Sequence, residues 1–157
     1  MSQNRGKDFE KVIKEAFEKV PDVSVVRLHD QTTGFLGSSN HCDFIVYKKP
    51  YEYHIECKSV HGNTFPLSNI TDNQSKGLLE KSKIQGVIAG LIIWWVDKDV
   101  TKFVSIQELN ECKQCGWKSI RFDHSPIFLF STVDIQGKKK RVFFEYDMSK
   151  FFEEVSK

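Results

Sequence analysis

An α/β domain, with a mixed central β-sheet flanked by helices, is the fold class that three features of the sequence predict. Residues 4–20 carry Phe9, Ile13, Ala16, Phe17 and Val20 at helical spacing, which makes one apolar face to bury. Residues 87–96 are a nearly continuous apolar run ending in Ile92, Ile93, Trp94, Trp95 and Val96, the pattern of a strand covered on both sides. Residues 43–47 and 51–58 are rich in β-branched and aromatic side chains and meet at Lys48-Lys49-Pro50, as two paired strands would. The 157 residues are expected to form one domain, 1–157, within the usual range of about 100–200 residues.

Taken in order, the first helix ends at Pro21, and Lys11/Glu15 and Lys14/Glu18 support its exposed side as i,i+4 pairs. Glu10 falls at the border of the apolar stripe, as a boundary charge or as an acid reaching a site at the core's edge. Residues 23–29 read as a first strand, and 30–40, rich in Gly, Ser, Thr and Asn, as a loop. A hairpin symmetric about the Lys49–Pro50 bond pairs residues whose numbers sum to 99, so Asp43 opposes Glu56 and His41 opposes Lys58.

Residues 61–67 read as a second loop and 69–83 as a helix with Ile70, Leu78 and Leu79 facing inward. Gln74 shares that inward face and needs hydrogen-bond partners, in the core or among the hairpin's carboxylates. Lys76, Lys81 and Lys83 give the helix a basic side, suited to a phosphate backbone or to solvent. A turn at 97–99, a strand at 100–106 and a helix at 107–115 closed by Gly116 follow. Strands at 127–131 and 141–145 are joined by a turn carrying Lys138, Lys139, Lys140 and Arg141, the strongest basic cluster. Residues 149–157 form an amphipathic tail helix whose Phe151, Phe152 and Val155 must pack on the domain or on a second subunit.

Composition narrows the function. With 23 basic against 21 acidic residues, no global field selects a polyanion, so a nucleic-acid surface has to come from local clusters. No run of 18 apolar residues occurs and the N-terminus is polar, so neither a membrane span nor a secretory signal is expected, and a cytoplasmic protein is. Cys42, Cys57, Cys112 and Cys115 are too few and too unevenly spaced for a disulfide framework. Cys112 and Cys115 make a C-x-x-C that, with His124, offers three of the four ligands of a zinc site; two ordinary cysteines at a helix end is the plainer reading.

The hairpin carries the chemistry. Directly opposed residues have Cβ atoms roughly 4.5–5.5 Å apart, and like charges there destabilise the sheet unless something compensates them. A divalent cation would, and Mg²⁺ takes a few carboxylate oxygens while leaving positions for water and phosphate. Lys58 lies on the face of Glu56, because strand side chains repeat every second residue, and can stabilise charge on an attacked phosphate. The plain alternative is a half-exposed strand in which Glu52, His54, Glu56 and Lys58 alternate with Tyr53, Ile55 and Cys57.

Four motifs in one order then give a resemblance. Asn4-Arg5-Gly6 with Glu10, then Asp43, then Glu56-Cys57-Lys58, and then Phe65-Pro66-Leu67-Ser68-Asn69-Ile70-Thr71-Asp72-Asn73-Gln74 resemble the RecU-type Holliday junction resolvases of the PD-(D/E)XK nuclease superfamily. The last match is the most specific, since neither composition nor periodicity generates it. The resemblance implies a restriction-endonuclease-like sheet and an endonuclease cutting branched DNA, above all four-way junctions, in recombination and repair. It implies a homodimer using Mg²⁺, with Mn²⁺ as a possible substitute, and no small-molecule cofactor. It assigns Asp43, Glu56 and Gln74 to the metal, Lys58 to the transition state, Glu10 to an accessory acid and Arg5 to a phosphate. The Cys57 carbonyl is a further expected ligand.

Two departures stand out. His41 replaces a threonine two residues before the metal Asp, and only 30–40 fills the place of a long stalk, a compact form that suits a bacteriophage. The other readings are a restriction-like or repair nuclease, an idle DNA-binding module, and a zinc-stabilised interaction domain.

Overall fold

The computed structural model describes residues 5–29, 40–123 and 132–156. Asn4, most of the loop at 30–40, His124 and the strand expected at 127–131 lie outside them. In chain order the elements begin with α1 (Arg5–Glu18), β1 (Ser24–Arg27), β2 (Phe44–Lys48), β3 (Tyr51–Val60), β4 (Thr64–Pro66), α2 (Asp72–Ser82) and β5 (Val87–Trp95). They continue with β6 (Val100–Ser105), α3 (Ile106–Gln114), β7 (Ser119–Arg121), β8 (Val133–Asp134), β9 (Gly137–Lys139), β10 (Phe144–Tyr146) and α4 (Ser149–Val155).

The central sheet has the order β1-β2-β3-β5-β6-β8. Its strands are antiparallel neighbours except for β3 and β5, which run parallel from Glu52↔Val87 to Val60↔Trp95. The β2–β3 hairpin pairs Phe44 with Ile55 and Lys48 with Tyr51, the register that symmetry about Lys49–Pro50 requires.

Successive strand residues point to opposite faces, so adjacent Trp94 and Trp95 enter two different cores. One face gathers Tyr53, Ile55, Cys57 and Trp94 under α1 and α4, with Phe9, Ile13, Phe17, Phe151 and Phe152. The other gathers Leu91, Ile93 and Trp95 under α2 and α3, with Leu78, Ile106 and Leu109. Because β3 has a strand on each side and helices above and below, His54 and Glu56 are buried. This corrects the half-exposed reading of that strand: its polar face lies beneath α2.

Several elements differ from the sequence expectation. The segment 61–67 contains β4, which pairs with β7, and three-residue strands are too short to show a period. Lys138 and Lys139 lie in β9, opposite Glu145 and Phe144. The turn closes later, where the Lys140 amide donates to the Phe143 carbonyl at 2.9 Å. The tail helix packs on its own domain: Phe151 and Phe152 are buried against Phe17 and Tyr53, so those rings are not a surface for a second subunit. Among the described residues no helix is long and apolar enough to cross a membrane.

Candidate active site

Asp43 stands where β2 leaves its regular ladder. Its carbonyl accepts from the Leu28 amide at 2.8 Å while its own amide donates to the Ile55 carbonyl at 3.0 Å. In a regular antiparallel strand both groups of one residue face the same neighbour, so the backbone twists here as at a bulge. That twist turns the Asp43 carboxylate over β3, where Oδ2 accepts the Cys57 amide at 2.8 Å. It also sets the Asp43 carboxyl within electrostatic reach of Glu56.

Glu56 is only 5% exposed, and its Oε1 lies 3.5 Å from Lys58 Nζ and accepts from Gln74 Nε2 at 2.8 Å. Gln74 is delivered by the start of α2. Thr71 caps that helix, its hydroxyl accepting from the Gln74 amide at 3.1 Å while Gln74 Oε1 accepts from the Thr71 amide at 3.1 Å, a reciprocal capping box. With its oxygen so engaged, Gln74 meets the acid pair as a donor, not through the atom a metal would need.

Burial disfavours the charged form of a carboxyl, and a second carboxylate beside it does so further. Burial, then the charge of Asp43, pushes Glu56 up to about 8, with Lys58 pulling the other way and Glu10 adding to the rise. Asp43 is also raised by burial, against the Cys57 amide and Lys58. Glu10 therefore lies within electrostatic reach of the pair, and its Oε2 is 3.3 Å from an Arg27 guanidinium nitrogen. Two crowded carboxyls that hold a proton near neutral pH present hard oxygen donors, and a divalent cation such as Mg²⁺ replaces such a proton. Asp43 and Glu56 are the side chains that could hold it.

The Arg5 guanidinium donates to His61 Nε2 at 2.8 Å. The other ring nitrogen of His61 faces Asp97 at 3.1 Å, and Asp97 also accepts the Gly62 amide at 2.7 Å. Sequence reasoning missed His61 and Asp97, which are far apart in the chain. The parallel pairing that ends β3 and β5 at Val60↔Trp95 sets them side by side.

Lys76 and Lys81 are exposed on α2. Lys139 reaches Asp99 at 2.7 Å and Lys140 reaches Glu145 at 3.3 Å. Lys138 and Lys140 line a groove of about 730 Å³ beside the end of α1, and neither acid of the pair lines it. His41 does not oppose Lys58. The twist at Asp43 carries it under α2, where its ring stacks on His54 with 5.0 Å between centroids. Cys112 is buried and Cys115 exposed, and the third zinc ligand expected for them lies outside the described residues.

Comparison with known families matches residues 4–136 to the model described as recombination protein U. Comparison with individually curated proteins returns no match. Among solved structures, the Holliday junction resolvase Hjc from the archaeal hyperthermophile Archaeoglobus fulgidus is similar at 16% identity and a TM-score of 0.49, over 66% of this chain and 78% of that one.

Proposed function

The chain belongs to the recombination protein U family and has that family's role as a Holliday junction resolvase in recombination, and from that premise we propose a Mg²⁺-dependent endonuclease worked by Asp43, Glu56, Lys58, Glu10 and Gln74. The observation that carries this reading is the convergence over β3 of Asp43, held by the Cys57 amide at 2.8 Å, and buried Glu56, with Lys58 3.5 Å from Glu56. Oxygen donors of this kind favour Mg²⁺ or Mn²⁺ over softer ions. Such an ion, when bound, acidifies water and polarises a phosphoryl oxygen.

Asp43 and Glu56 would hold it, with the Cys57 carbonyl as a further oxygen. Gln74 fixes the orientation of Glu56, and the Cys57 amide that of Asp43. Lys58 sets positive charge where it builds on the attacked phosphate. No nucleophilic side chain is required. Arg5, steadied by His61 and Asp97, takes a DNA phosphate, as do Lys76, Lys81, Lys138, Lys139, Lys140 and Arg141. Cuts on two opposed strands need two sites, so the working form is a homodimer, and the protein acts in the cytoplasm.

The test sets a synthetic four-way junction beside matched duplex, flap and single-stranded DNA, with Mg²⁺ and then Mn²⁺. Cleavage of the junction alone, lost with chelator and in Asp43→Ala/Glu56→Ala while junction binding survives, is the expected result. Undiminished cleavage by the double variant would overturn the assignment. Equal cutting of the linear substrates would replace junction selectivity with a general nuclease. Sedimentation at micromolar concentration reads the dimer, and a monomer with full activity would remove that part.

A further inference from the structure

We propose that His41, Cys42 and His54 form a second metal site, distinct from the acid pair, that takes a thiophilic transition-metal ion of the Zn²⁺ class. Cys42 Sγ and one ring nitrogen from each histidine all lie within 4.8 Å of one another, and His41 Nε2 is 2.7 Å from His54 Nδ1. Around a tetrahedral ion, bonds of about 2.0–2.3 Å set ligand atoms about 3.3–3.6 Å apart. An ion would part the two imidazoles slightly and draw toward them the thiol, which donates to the Phe44 carbonyl at 3.4 Å, a change that side-chain rotation supplies.

The surroundings orient these groups as ligands. Glu52 Oε1 lies 3.5 Å from His54 Nε2, so the carboxylate engages the nitrogen that faces away from the site. This is the outer support that metal-bound histidines ordinarily have. On the other side α2 clamps His41: a Cβ added at Gly77 would overlap the His41 Cβ. Cys42 and His54 are each 3% exposed, while half-buried His41 leaves a fourth position open to solvent.

Electrostatics agree in the main. Neutral imidazole is the form that binds metal. Burial and the nearby acids raise the Cys42 thiol to about 12; an ion has to displace that proton, and the same acids attract a cation. Lys81 opposes it from α2. Two nitrogens and a sulfur favour Zn²⁺, and the neighbouring oxygens favour Mg²⁺, so adjoining sites select different ions. Since Cys42 precedes Asp43 and His54 lies on β3, an ion here ties the entry of β2 to its neighbour and fixes the backbone that presents Asp43.

Cobalt is the probe. Reduced, chelator-treated full-length protein is titrated with Co²⁺ and followed by absorption. One equivalent should give a thiolate-to-cobalt charge-transfer band that Zn²⁺ abolishes. The band should persist in Asp43→Asn/Glu56→Gln, which separates the site from the nuclease reading, and in Cys112→Ser/Cys115→Ser. It should vanish in Cys42→Ser. X-ray absorption of the Zn²⁺-loaded natural sequence, which needs no variant, should show one sulfur and two imidazole nitrogens. Absence of the band, its loss with Cys112 and Cys115, or a shell of oxygen alone would overturn the proposal.

Discussion

Glu56 is bound by the Lys58 ammonium and the Gln74 amide and opposed by the charge of Asp43. Burial dominates the balance and lifts its pKa from an ordinary 4.5 to about 8. A carboxyl raised on folding stabilises the fold fully below its unfolded value, and that stability is lost as pH rises through the folded one. His41 and His54, lowered from 6.5, work oppositely, but only below that value. Between pH 6.5 and 8 the two histidines therefore drop out, and the acid pair, Glu56 with Asp43 also raised by burial, sets the slope. The metal-free protein should melt at progressively lower temperature across that window, and Mg²⁺ should recover most at its alkaline end. Glu56→Gln should flatten the slope; an unchanged slope would refute the burial argument. Gln74→Ala removes both its bond to Glu56 and half of the capping box. It should cost about 1 kcal/mol in urea titration and slow single-turnover cleavage by roughly 10–100-fold, as loss of a group that orients a ligand does.

At the scale of elements, the site depends on how α2 meets the segment that enters β2. Gly77 is the contact: alanine there gains helix propensity of up to about 1 kcal/mol but collides with the His41 Cβ. Overpacking typically costs about 1–3 kcal/mol, so Gly77→Ala should be destabilising on balance by equilibrium unfolding, and a more stable protein would show that α2 can shift. The hairpin register was legible in the sequence because a two-residue turn and β-rich flanks fix it locally, and with it the nearness of Asp43 and Glu56. Two things were not. The twist at Asp43 depends on the Leu28 amide, just past β1, donating to its carbonyl, a partner remote in the sequence. The burial of His54 and Glu56 depends on β5 pairing parallel to β3, which local alternation does not encode. Of the basic cluster, Lys140 and Arg141 keep the expected turn, while Lys138 and Lys139 enter β9 because Glu145 and Phe144 pair with them, a contact invisible until both strands exist.

For the molecule as a whole, a net charge of +2 is too small to draw DNA from a distance, so binding has to rest on local basic groups. The two cores were legible from the apolar run of β5 and the periodicity of α1, and charge placement was legible only as clusters. Folding changes what those clusters offer. Lys139 and Lys140 already face Asp99 and Glu145, but exposed pairs are worth only about 0–1 kcal/mol, so a phosphate can displace the acids. Arg5 differs, since His61 and Asp97 hold its guanidinium without neutralising it directly. Each phosphate contact contributes about 0.9 to the slope of log affinity against log salt on duplex DNA. Arg5→Ala should lower the slope for junction binding by about 1 and weaken binding without regard to sequence. Lys139→Ala should lower it by less, because a phosphate that takes Lys139 frees Asp99 to gather a counter-cation, which offsets part of the release. Fluorescence anisotropy across a salt series reads both slopes, and an Arg5→Ala slope equal to that of the natural sequence would remove Arg5 from the DNA surface.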